Sequence, residues 1–108
     1  MAKSLSLDDV EGFEWDEGNI GKNWPKHGVT DGECEEIFFN QPLIIGSDAE
    51  HSDLESRYYA LGQTDRGRML FGAFAVRNQL IRAISFRDMN SRERKAYESA
   101  KEDTDVQG

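Results

Sequence analysis

Between Arg57 and Phe86 the chain reads as three apolar runs joined by turn residues, and this stretch constrains the fold more than any other. Arg57 to Leu61 is rich in aromatic residues, Arg68 to Val76 has the length of a strand, and Leu80 to Phe86 returns as another. Thr64-Asp65-Arg66-Gly67 and Arg77-Asn78 supply the turns, so the runs fold back on one another as an antiparallel meander. Leu43-Ile44-Ile45 predicts a short strand ahead of them, with Glu50 to Ser56 as polar loop. Period two divides the last strand. Leu80, Arg82, Ile84 and Phe86 point one way and Ile81, Ala83, Ser85 and Arg87 the other, which puts Arg82 and Arg87 on opposite faces unless a bulge intervenes.

Helical signals flank the strands. Asp16 to Asn23 predicts a short helix with Ile20 and Trp24 at i, i+4, weakened by Gly18 and Gly21 and limited by Pro25. Thr30-Asp31-Gly32-Glu33 is a capping box for a second helix, stapled by Val29 and Cys34, that ends near Asn40 ahead of Pro42. Asn90, with Glu93 three residues on, caps a last helix that packs through Ala96, Tyr97 and Ala100. The expected fold is α+β: a single domain of two N-terminal helices, a four-stranded antiparallel sheet and a C-terminal helix, in the order α-α-β-β-β-β-α. At 108 residues there is room for one core and no more. Residues 1–12 are expected to form a flexible arm, 13–98 the folded unit and 99–108 a flexible acidic tail.

Charge is distributed unevenly. The net charge of −8 argues against a nucleic-acid binder, because phosphate neutralisation needs Lys and Arg. Yet residues 1–56 carry 14 acids against 3 bases, whereas residues 57–108 carry 7 acids against 10 bases. One half could therefore face an anion, while the other could steer a basic partner segment. No run reaches the ~20 apolar residues that span a bilayer, and the N-terminus lacks the apolar stretch of a signal peptide, so the expectation is a soluble cytoplasmic protein. The single Cys34 has neither a disulfide partner nor a metal-ligand companion.

Several residues carry candidate chemistry. Histidine is the one side-chain type suited to proton transfer near neutral pH, and Lys26 beside His27 could hold a phosphate or an oxyanion, a pair suited to phosphodiester cleavage. The same pair, followed by Gly28, also reads as an ordinary helix stop favoured by the macrodipole and by glycine's freedom at positive φ. His51 stands alone in an acidic loop. Arg57, Arg68, Arg82 and Arg87 occupy strand positions from which guanidinium groups could meet an RNA backbone, with Tyr58 or Tyr59 free to stack on a base. They could equally pair with Glu33, Glu35 and Glu36. Arg92 and Arg94 extend the basic set on a helix face that is otherwise simply solvated. There is no Gly-rich phosphate loop, no His/Cys ligand set and no Gly-x-Ser-x-Gly elbow, so common nucleotide hydrolases and zinc enzymes are poor fits, and neither a metal nor a cofactor is expected.

Taken in order, Phe13-Glu14-Trp15-Asp16, Asn23, Lys26-His27-Gly28-Val29, Ile37-Phe38, Arg57-Tyr58, Leu61-Gly62, Gly67-Arg68, Ile81-Arg82, Ile84-Ser85-x-Arg87 and Glu93-Arg94-x-x-Tyr97 resemble the BrnT toxin family. The resemblance runs from about residue 13 to residue 98 and implies a RelE-like fold. It further implies a bacterial type II toxin that cleaves RNA without a metal and is neutralised by a BrnA-like ribbon-helix-helix antitoxin, with operator DNA reached only through that antitoxin. Lys26, His27, Arg57, Arg82 and Arg87 match the family's catalytic positions, and Tyr58, Arg68, Arg92 and Arg94 are the RNA-binding candidates. The chain departs from the family in carrying Asn19 where a Lys is usual, Pro25 inside the motif, Phe86 where a small residue is common, and far more acid. These departures keep a second reading in view: a catalytically weak or inactive protein that binds the antitoxin and co-represses its operon. A plain interaction domain with no operon role is the third.

Overall fold

The computed structural model describes residues 7–48 and 56–107, so His51 and all but Ser56 of the expected polar loop lie outside the described residues. A 3-10 turn over Leu7–Asp9 leads into β1 (Gly12–Phe13), followed by α1 (Trp24–His27) and α2 (Asp31–Glu36). A 3-10 turn over Ile37–Phe39 leads to β2 (Ile44–Ser47), β3 (Ser56–Gln63), β4 (Met69–Arg77), β5 (Leu80–Asp88) and α3 (Ser91–Gln107). The helix therefore continues into the segment expected to be a flexible tail. Among the described residues no helix is long and apolar enough to cross a membrane.

The expectation of a four-stranded antiparallel, RelE-like sheet is corrected to a five-stranded mixed sheet in the order β1-β5-β4-β3-β2. The added strand, β1, pairs in parallel with β5 through Gly12↔Leu80 and Phe13↔Ile81. Two residues are too few to show a period, which is why the sequence pattern does not reveal it. The meander itself forms, with β2, β3, β4 and β5 antiparallel in succession. Its first turn closes on Thr64, whose hydroxyl accepts from the Arg68 amide at 3.0 Å. The second turn falls on Asn78 and Gln79, one residue later than the turn chemistry suggests. Both residues have positive φ, 53° and 66°, which suits a two-residue hairpin between twisted strands.

The helix expected over Asp16 to Asn23 does not form. Asn19 turns its side chain inward instead, accepting from the Asp16 amide at 2.8 Å and donating to the carbonyls of Glu14 at 3.0 Å and Ala83 at 3.2 Å. Asn23 accepts from the Phe86 amide at 3.0 Å. Beyond the short β1, these two buried asparagines supply the hydrogen bonds that another strand would have given the edge of β5. Gly21, at φ 66°, then breaks the turn, and α1 makes one helical turn that Gly28 ends at φ 63°, its amide donating to the Trp24 carbonyl at 2.9 Å. The Thr30–Glu33 capping box of α2 and the Asn90–Glu93 box of α3 both form as the sequence indicates.

One sheet face is the main core. Phe74, Phe86, Ile81, Ala83, Leu70 and Tyr58 pack there against Val29, Cys34, Ile37 and Phe38 from the N-terminal helical segment. On the opposite face α3 covers only one end, where Tyr97 packs with Leu61 and Met89 and donates to the Pro42 carbonyl at 2.7 Å. The edge asparagines should be costly to remove. Asn23→Ala leaves the buried Phe86 amide without its acceptor and should lower unfolding free energy by about 1–3 kcal/mol, read as a reduced urea midpoint at unchanged m. An unaltered midpoint would show that the edge is held by something else.

Candidate functional site

The β4–β5 register passes from Ala73↔Ser85 to Phe74↔Ala83, so Ile84 has no partner and bulges. The bulge reverses the alternation along β5. Ile81, Ala83 and Phe86 consequently all reach the core, and Arg82 and Arg87 share the other face instead of lying on opposite ones. Arg57 joins them there, because Arg57↔Ala75 and Ala75↔Arg82 place the two arginines on either side of a fully buried alanine. Arg87 lies four β4 residues away, opposite Phe71, roughly 13 Å along the strand at ~3.3 Å per residue. The row between, Tyr59–Ala73–Ser85, has a floor of small residues.

The other candidates sit elsewhere. Tyr58 is in the core, stacked on Phe74 at 5.6 Å, so the tyrosine on the arginine face is Tyr59, with 38% of its surface exposed. The RNA-binding expectation for Tyr58 is thereby corrected, since its ring is buried and only phase against the sheet separates it from Tyr59. Lys26 and His27 lie on α1 beside the end of β5, and among the described residues their side chains make no hydrogen bond or ion pair. Arg92 and Arg94 are exposed on the first turn of α3. Arg94 lines a cleft of about 390 Å³ with Gly67, Met69, Asp88 and Met89.

Arg68 is committed to structure. It donates to both Asp88 oxygens at 2.7 and 3.1 Å, to Glu33 at 3.2 Å, and to the carbonyls of His27 and Gly28 at 3.2 and 2.9 Å. It thereby ties the end of α1 and the start of α2 to β5. Arg68 thus meets one expected acid, Glu33, whereas Arg82 and Arg87 meet acids other than the expected Glu33, Glu35 and Glu36. Arg82 donates to Asp16 at 2.6 and 2.9 Å and to Glu14 at 3.2 Å, and Arg87 to both oxygens of Glu93 at 2.8 and 2.9 Å. The Asn90–Glu93 spacing was a visible cue for Glu93, because a capping glutamate six residues after Arg87 turns back toward the strand end. No group of three or more His, Cys, Asp or Glu among the described residues is arranged to hold a metal ion. Cys34 is buried, which pushes its thiol up to about 12 and disfavours the thiolate a nucleophile needs.

These pairs make stability pH-dependent. Hydrogen bonds from Arg82, Arg68 and Arg87 hold Asp16, Asp88 and Glu93 below the ordinary carboxylate values. Burial pushes Glu33 up, but the Thr30 amide and Arg68 outweigh it and leave its carboxyl low as well. As pH falls the unfolded chain binds protons first, so the stabilisation is complete above the ordinary glutamate value of 4.5 and is lost below it as the folded carboxylates protonate. Urea midpoints should therefore drop on acidification below that value, and less steeply in Arg68→Ala, which releases Glu33 and Asp88. Equal slopes in the two proteins would contradict the assignment.

Comparison with known proteins bears on what this face serves. No curated protein matches the chain in sequence. The family model describing the ribonuclease toxin BrnT of type II toxin-antitoxin systems matches residues 15–93, which takes in the edge-closing segment, every strand but β1 and the start of α3. On that match the chain belongs to the BrnT family of ribonuclease toxins.

Proposed function

We propose that the chain is a metal-independent endoribonuclease whose substrate lies across the face bearing Arg57, Arg82 and Arg87. The observation that carries this reading is the bulge at Ile84, which puts the three candidate arginines on one side of the sheet. RNA cleavage without a metal needs a group to activate the ribose 2′-hydroxyl, cations to stabilise charge on the phosphate oxygens and a proton for the leaving oxygen. His27 suits the proton transfers, and Lys26 and Arg87 suit the charge. Arg68 donates to both the His27 carbonyl and Asp88, the last residue of β5, and this link supports a role for His27 near the Arg87 end of that strand. In this reading Arg57 and Arg82 hold the RNA further along the sheet.

A toxin of this class has an antitoxin partner. We take that partner to be BrnA-like, with a ribbon-helix-helix part that carries the complex to operator DNA. The acidic first half of the chain offers a surface toward which a basic antitoxin segment would be steered. One observation favours the second reading, an inactive co-repressor: Arg82 and Arg87 are already paired with Glu14, Asp16 and Glu93, so a phosphate must displace or share these carboxylates. Expression alone in a bacterial host separates the two. The nuclease reading expects growth arrest and RNA loss, both abolished by Lys26→Ala and by Arg87→Ala. Healthy growth at verified soluble expression, with intact RNA in the presence of purified protein, would sink the nuclease reading, and tight antitoxin binding by the same protein would then favour the co-repressor.

A further inference from the structure

The arginine face carries an aromatic feature that phosphate binding does not require. The exposed ring of Tyr59 on β3 stacks on Phe71 of β4, with centroids 6.1 Å apart and planes 17° from parallel. From β5, on the other side of β4, the Arg87 guanidinium carbon lies 4.3 Å from the centroid of Phe71. Arg87 is itself fixed by Glu93, so the row Tyr59–Phe71–Arg87 is anchored to the start of α3. On β2 the residue opposite Tyr59 is Gly46, where a Cβ would collide with the Tyr59 ring. The glycine leaves room for the ring. On its β4 side the neighbours are Ala73 and Ser85, and this floor separates Arg87 from the Arg57/Arg82 pair.

Resting on the ribonuclease reading, we infer that Tyr59 is a base-stacking residue that selects unpaired RNA. A nucleobase of single-stranded RNA lies against the exposed Tyr59 ring, over the Ala73–Ser85 floor, while the flanking arginines hold the adjoining phosphates. Base–aromatic stacking tolerates any sequence, because every base has a π-face. It excludes a duplex, whose bases are already stacked on one another. The phosphates supply the charge complementarity, and the ring supplies the preference for an unpaired strand.

The test uses the full chain and a single-stranded RNA with 2′-O-methyl groups throughout and one 2-aminopurine, whose fluorescence is quenched by stacking on an aromatic ring. Wild type and Tyr59→Phe should bind and quench. Tyr59→Leu keeps apolar bulk against Phe71 but should bind roughly tenfold more weakly and lose the quench. A base-paired version of the same oligonucleotide should bind more weakly than the single strand. Binding by wild type without quenching, or a quench that survives in Tyr59→Leu, would overturn the role of Tyr59 while leaving the nuclease reading intact. A Tyr59→Leu protein that binds RNA normally but no longer captures its antitoxin would make this face a protein interface, and so also overturn the inference. If the oligonucleotide does not bind and unmodified RNA is not cut, the underlying reading fails and the inference goes with it.

Discussion

Ile84, the one residue of β5 without a partner on β4, decides which side chains share a surface in this protein. Remove the bulge from the register and either Phe86 or Ile81 must leave the core, because strict alternation cannot bury both. With it, both are buried, and Arg82 and Arg87 are left together on the face that α3 only partly covers. The packing of large apolar residues on one side thus dictates the placement of charge on the other. A local irregularity that looks like a defect in a strand is what assembles the basic face.

The second constraint is the exposed edge of β5. A two-residue strand closes the first part, and the side chains of Asn19 and Asn23 close the rest. This accounts for the two buried asparagines beside an apolar core, and for the tight turn that replaces the expected helix. On the family resemblance, Asn19 occupies a position where a lysine is expected. The residue that reads as a lost cation in the sequence is, in the fold, a structural amide bonded to two carbonyls. The same edge segment delivers Glu14 and Asp16 to Arg82, so closing the sheet and pairing that arginine are consequences of one chain path.

Electrostatically, the acidic first half and the basic second half meet through partly exposed ion pairs. Glu33 reaches Arg68, Asp16 and Glu14 reach Arg82, and Glu93 reaches Arg87 within the second half. Partly exposed pairs of this kind add modestly to stability. Their larger effect here is on position, since a guanidinium held by two carboxylate oxygens has little freedom to swing. Arg68 is the extreme case, with its donors shared among two acids and two helix-end carbonyls, and its role is to hold the end of α1 in place.

The sequence by itself determined the meander, the two capping boxes, the helix stop at Gly28 and the order of motifs that marks the BrnT family. Each of these is local chemistry: turn residues, a hydroxyl or amide three residues from a glutamate, or a glycine at positive φ. Tertiary structure alone decided that β1 pairs in parallel with β5, that Asn19 and Asn23 close an edge, that Tyr59 rather than Tyr58 faces outward, and that Glu14 and Asp16 meet Arg82. The reason is common to all four. They depend on the phase of one strand against another and on residues dozens of positions apart, and neither quantity is encoded in the spacing of a single segment.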